Sequence, residues 1–173
     1  NHSYGTISGW AYGNYSENTE TGWHWWPTTD QENNFGKYTQ STADRDTLAR
    51  NAPYYLIVKA AGNDRTNNPS EGDTVYLNNG SGGWNTVTYD SSTHPDGDGT
   101  YESGFDTIGY KGNAKNILTV GAVSDAVSNG TRDPGAASMT SFSSWGPTDD
   151  GRVKPDVFGV FGQVEGREQF RKR

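Results

Sequence analysis

The side chains able to do chemistry in this sequence are mainly carboxylates and aromatic rings. Asp96-Gly97-Asp98-Gly99, with Glu102 and Asp106 close behind, offers hard oxygen ligands at short spacing, a pattern suited to Ca²⁺. It departs from the EF-hand loop, so a solvated acidic turn is the competing reading. Asp64, Asp73, Asp90, Glu102 and Asp106 could supply the carboxylate pair of a glycoside hydrolase, provided folding sets two of them at a working separation. Trp10, Trp23, Trp25, Trp26 and Trp84, with ten tyrosines, could stack on sugar rings or fill a core poor in Leu and Ile. The chain has no cysteine, which excludes disulfides, thiolate metal sites and a Cys nucleophile. No Gly-x-Ser-x-Gly, Walker or dinucleotide fingerprint occurs.

Stepping along the chain, residues 1–38 are rich in Gly, Asn, Thr and aromatics without helical periodicity, so a short opening strand and a long excursion are expected. Residues 39–50 lack Gly and Pro and end in helix formers, which predicts a helix stopped by Asn51-Ala52-Pro53. Tyr54–Ala60 and Ile117–Val123 read as buried strands, the first opening on the β-branched and aromatic run Tyr54–Val58 with no alternation. A helix feeding such a strand predicts a parallel sheet, with these two strands at its centre. Thr74–Leu77 and Thr86–Tyr89 can pair as a hairpin across Gly80, Gly82 and Gly83, and Met139–Ser144 reads as a further short strand. Asn63-Asp64, taken alone, is a turn after a strand.

Three segments, in this order, resemble the subtilisin-like serine peptidases, the subtilases. Asn1-His2-Ser3-Tyr4-Gly5 is similar to the family's Asn-x-Ser-x-Gly strand end. Ala60-Ala61-Gly62-Asn63 follows a strand as the family's oxyanion segment does. Ile117–Val123, Ser141-Phe142-Ser143-Ser144-Trp145-Gly146-Pro147 and Lys154-Pro155-Asp156-Val157 complete the set. The resemblance covers residues 1–157, with long insertions at 8–38 and 64–112, and residues 158–173 are set apart as a divergent basic tail. It implies a three-layer α/β fold with a parallel sheet, long loop insertions and few helices. It also implies that Asn63 sits at the oxyanion position, and that Ser3, Tyr4, Gly5 and Gly62 line the cleft for a peptide-like substrate. The metal candidates remain Asp96 and Asp98, for calcium; no other cofactor is expected.

The family orders its motifs aspartate, histidine, asparagine, serine, yet nothing before Asn63 resembles the first two. His2, His24 and His94 lack the histidine motif's flanks. Gly135-Ala136-Ala137-Ser138-Met139 imitates the nucleophile motif but precedes segments that the nucleophile follows in the family. The leading expectation is therefore a fragment of a subtilisin-like endopeptidase that is not proteolytic alone. A carbohydrate-active hydrolase or sugar-binding module on the same half-fold is the alternative.

The net charge of −7 argues against nucleic acid or anionic membrane as partner, since phosphate binding needs clustered Lys and Arg. The one basic cluster, Arg167 with Arg171, Lys172 and Arg173, reads as a solvated tail. Sheet edges left uncovered by the missing motifs could favour self-association. The Asn-, Gly-, Ser- and Tyr-rich composition is that of exported bacterial enzymes, so a secreted parent protein is expected.

Overall fold

The computed structural model describes residues 7–15, 18–30, 34–100 and 104–161. His2, Ser3, Tyr4, Gly5, Glu102 and the basic cluster of residues 167–173 lie outside the described residues. The elements are β1 (Trp10–Tyr15), β2 (Asn18–Trp25), α1 (Gln40–Asn51), β3 (Val58–Ala60), β4 (Thr74–Asn78), β5 (Trp84–Thr88), β6 (Leu118–Val123), β7 (Val127–Ser128), β8 (Thr131–Arg132) and β9 (Val157–Val160).

A parallel sheet, in the order β3-β6-β9, carries the site. Val58, Lys59 and Ala60 pair with Leu118, Thr119 and Val120, and Val120–Val123 pair with Val157–Val160. This is the mixed α/β architecture with a parallel sheet and few helices that the sequence implied. Among the described residues β6 is the central strand and β3 lies at an edge, where two central strands were expected. β3 is also shorter than expected. Tyr54, Tyr55 and Leu56 are exposed, because Tyr55 N–H donates to Ala52 C=O in a turn leaving the helix, and only Ile57 reaches the core. β9 runs to Val160, past the boundary drawn at 157, with its side chains exposed.

The helix forms where propensity places it. Thr39 precedes it with its N–H donating to Thr42 Oγ1, which satisfies one group at the helix start. The Thr42 hydroxyl in turn donates to Tyr110 C=O. Asp46 is buried on the same helix and accepts from Tyr38 Oη (2.6 Å), Lys115 N (3.0 Å) and Asn116 N (2.6 Å). Burial would raise its pKa, but these donors and the Lys115 charge outweigh burial and lower it. The helix is thereby tied to the turn entering β6, and Ala49 packs on the cluster of Ile57, Ala114 and Ile117.

The two long insertions build a second sheet together, in the order β1-β2-β4-β5. The expected hairpin of residues 74–89 forms, its turn closed by Asn79 Oδ1 accepting from Ser81 and Gly83 N–H. β2 joins β4 in parallel, pairing Trp23 with Val75 and Trp25 with Leu77. Alternation then gathers Trp10, Trp25 and Val75 with Tyr89 into one core, against which Trp23, Leu77 and Val87 pack. Trp10 and Trp25 are thus core residues and not surface platforms. The opposite face stacks His24 on Tyr76, with Tyr15 and Trp84 edge-on to the imidazole.

Met139–Ser144 forms no strand beyond one bridge between Met139 and Val123. Its backbone stops pairing because a side chain takes over: Ser143 Oγ accepts the Ala122 N–H at 2.9 Å.

Candidate functional site

The chain leaves β3 through Ala60-Ala61-Gly62-Asn63 at the strand's C-terminal end, where open α/β sheets bind ligands. Ala61 N–H still donates to Val120 C=O (2.9 Å), and then the path turns sharply at Gly62, whose φ of +120° side chains rarely adopt. A Cβ at Gly62 would stand 2.7 Å from Asp64 Oδ2 and 2.9 Å from Ser144 Oγ. Asn63 follows and opens a short 3₁₀ turn, Asp64–Thr66.

Ser144 is the clamp on this turn. It is fully buried; its N–H donates to Gly62 C=O (3.0 Å), and its hydroxyl accepts from Asp64 N–H (3.2 Å) while facing Asp64 Oδ2 (3.3 Å). Arg65 reaches the same segment through Ser143 C=O and lies 3.8 Å above the Trp145 ring, which also stacks on Phe105. Asn67 Nδ2 donates to Trp10 C=O (2.8 Å), so the turn is anchored to both sheets. The Ser-Ser-Trp segment was recognisable as a motif, but its contact with the Asn63 turn was not, since 80 residues separate the partners.

The turn opens on a cleft of about 320 Å³ walled by Ala11, Tyr12, Lys59, Gly62, Asn63 and Tyr110, among others. Asn63 is exposed to it, and its carboxamide makes no hydrogen bond among the described residues. Its two N–H donors therefore face solvent beside the strand end. Sequence reasoning overlooked Lys59, which lines the same cleft although only 5% of its surface is exposed. Burial pushes its ammonium pKa down, Arg45 and Lys111 push the same way, and Asp64 opposes them.

Other candidates lie elsewhere. Ser138 is exposed and its hydroxyl pairs with Ser124 Oγ at 2.8 Å, with no hydrogen bond to a histidine among the described residues. His24 is sealed in aromatic rings, and His94 Nδ1 accepts the Asp90 N–H. Asp73 and Asp90 serve as turn caps on Ser70 and Ser92, and Asp106 has a left-handed backbone beside Gly36. Of the described carboxylates proposed for sugar hydrolysis, only Asp64 lines the cleft.

The calcium candidates are engaged with the second sheet. Asp98 is 2% exposed and its oxygens lie 3.0 and 3.1 Å from Trp10 N, while Asp96 C=O accepts from Trp10 Nε1. Among the described residues no group of three or more His, Cys, Asp or Glu side chains is gathered to hold a metal.

Residues 1–160 match the model of the subtilase family, peptidase S8. The chain belongs to the subtilase family. Comparison with curated proteins and with solved structures finds no significant match. As a subtilase, it places the Gly62-Asn63 turn at the end of a parallel strand and holds it with the Ser143-Ser144-Trp145 segment. Among its described residues no helix is long and apolar enough to cross a membrane.

Proposed function

We propose that this chain provides the substrate wall and oxyanion donor of a subtilisin-like serine endopeptidase and does not hydrolyse peptides by itself. The carrying observation is the exposed, unengaged carboxamide of Asn63 in the cleft at the end of β3. When a nucleophile adds to a peptide carbonyl, the C=O π pair moves onto oxygen, and an amide N–H aimed there stabilises that charge more than the neutral carbonyl. Gly62 and the Ser144 clamp supply the preorganisation such a donor needs, because the turn does not have to rearrange as charge develops. Tyr12 and Ala11 from β1 form the facing wall for an extended peptide. Ser3, Tyr4 and Gly5 are proposed for the same wall on the family resemblance.

The silent reading rests on the cleft's lining, which includes no serine or histidine among the described residues. On this reading the described residues supply neither nucleophile nor base to the cleft. A fluorophosphonate probe tests this directly: no serine of the purified chain is expected to be labelled. Covalent labelling of an internal serine would sink the proposal. An exported setting for the parent enzyme is supported by the composition.

A further inference from the structure

We propose that the cleft beside Asn63 accepts an acidic substrate side chain, and that Lys59 is the specificity residue that binds its carboxylate. This rests on the reading of the cleft as a peptide site.

Among the described residues two lysines are buried along the parallel sheet, and they differ in one respect. Lys154, 6% exposed, has Asp156 Oδ2 at 2.6 Å and the Thr119 hydroxyl at 3.3 Å. Lys59, 5% exposed, pairs in register with Thr119 on the neighbouring strand, yet among the described residues its ammonium donates only to the carbonyl of Ala60 at 3.2 Å. No ion pair is formed by Lys59 among the described residues. An ammonium carries three donors, and a buried charge is costly unless paired. Lys59 lies on the wall of a cleft with room for a side chain.

The surrounding charge favours an anion there, although the whole chain is acidic. Arg45 from α1 and Lys111 from the segment before β6 act on Lys59 as like charges. Asp64 is the opposing charge, lies too far to form an ion pair with Lys59, and faces the Ser144 hydroxyl. A peptide whose carbonyl oxygen points at Asn63 carries its neighbouring side chain into the same hollow. Ala11 and Ala60 offer apolar contact to the methylenes, and Lys59 meets the carboxylate with a charge-assisted hydrogen bond.

The test uses the chain as it is and four N-acetylated, C-terminally amidated tetrapeptides differing only in a last residue of Glu, Gln, Leu or Lys. Amidation removes the terminal carboxylate, which would otherwise compete for Lys59. Binding is followed through the amide resonances of Gly62, Asn63 and Asp64. The Glu peptide is expected to bind about tenfold or more tighter than its Gln isostere, the worth of a charged over a neutral partner. Lys59→Met is expected to abolish that preference, and high salt to weaken the Glu complex in the wild type. Equal Glu and Gln affinities, or a preference that survives Lys59→Met, overturn the specificity while leaving the cleft reading intact. If none of the four peptides shifts these resonances, the cleft reading falls and this inference with it. Should Lys59→Met fail to fold, the wild-type Glu-to-Gln ratio and its salt dependence still decide.

Discussion

Replacing Gly62 by alanine tests whether the Asn63 turn is held by close packing or merely follows a strand. The alanine would have to adopt a φ of +120°, a backbone strain on the order of 1–3 kcal/mol. Its Cβ would also stand 2.9 Å from Ser144 Oγ and 2.7 Å from Asp64 Oδ2, so the buried hydroxyl must move. Moving it breaks the 3.2 Å bond from Asp64 N–H, which adds about 1 kcal/mol. The expected loss is therefore about 3 kcal/mol, read as a lower urea midpoint at unchanged slope. Ser144→Ala alone should cost about 1–2 kcal/mol by stranding the Asp64 N–H. In the double variant the Ser144 oxygen is gone while the φ strain and the Asp64 Oδ2 contact remain, so the combined loss should fall short of the sum. Peptide binding should weaken in Gly62→Ala as the Asn63 donor is displaced. A Gly62→Ala protein within about 0.5 kcal/mol of wild type would refute the reasoning, as would strict additivity with Ser144→Ala.

Burial of His24 depresses its imidazole below the ordinary 6.5, with the Gly22 carbonyl partly opposing. The folded pKa lies below the unfolded one, so stability present above about pH 6.5 is lost as pH falls toward the folded value. The melting temperature should decline between about pH 7.5 and 5.5, where carboxylates remain ionised, and His24→Gln should flatten that decline. Asp98→Asn weakens the contacts to Trp10 N–H and should destabilise by about 1–2 kcal/mol in the same melts. Added Ca²⁺ should leave the wild-type melting temperature unchanged, and a rise that Asp98→Asn removes would assign the metal to this turn.

Local features read well from the sequence where a short window carries the physics. The helix at 39–50 appears as Gln40–Asn51, because Gly and Pro are absent from its interior and Thr39 and Thr42 close its start. The strand at Ile117–Val123 appears as Leu118–Val123, and the hairpin of residues 74–89 forms on its Gly-rich turn. Tyr54–Leu56 misled because apolar, aromatic residues carry the same local signal whether or not anything covers them, and here they are exposed. The parallel pairing of β2 with β4 could not be read either, since alternation says which face is apolar but not which strand lies alongside.

Family membership was within reach of the sequence alone, because short ordered strings carry it: Ala60-Ala61-Gly62-Asn63, then Ser141–Pro147, then Lys154-Pro155-Asp156. Those strings by themselves place Asn63 at the end of a strand. What surrounds Asn63 was decided only by tertiary structure. Ser144 reaches the turn across 80 residues, Tyr12 arrives from an insertion, and Asp98, read as a metal ligand, lies against Trp10 N–H. Lys59 is the clearest case: its sequence neighbours mark it only as a polar interruption in an apolar strand. Its meaning comes from being buried beside a cleft with no ion pair among the described residues, and burial and pairing are properties of residues far away in the chain.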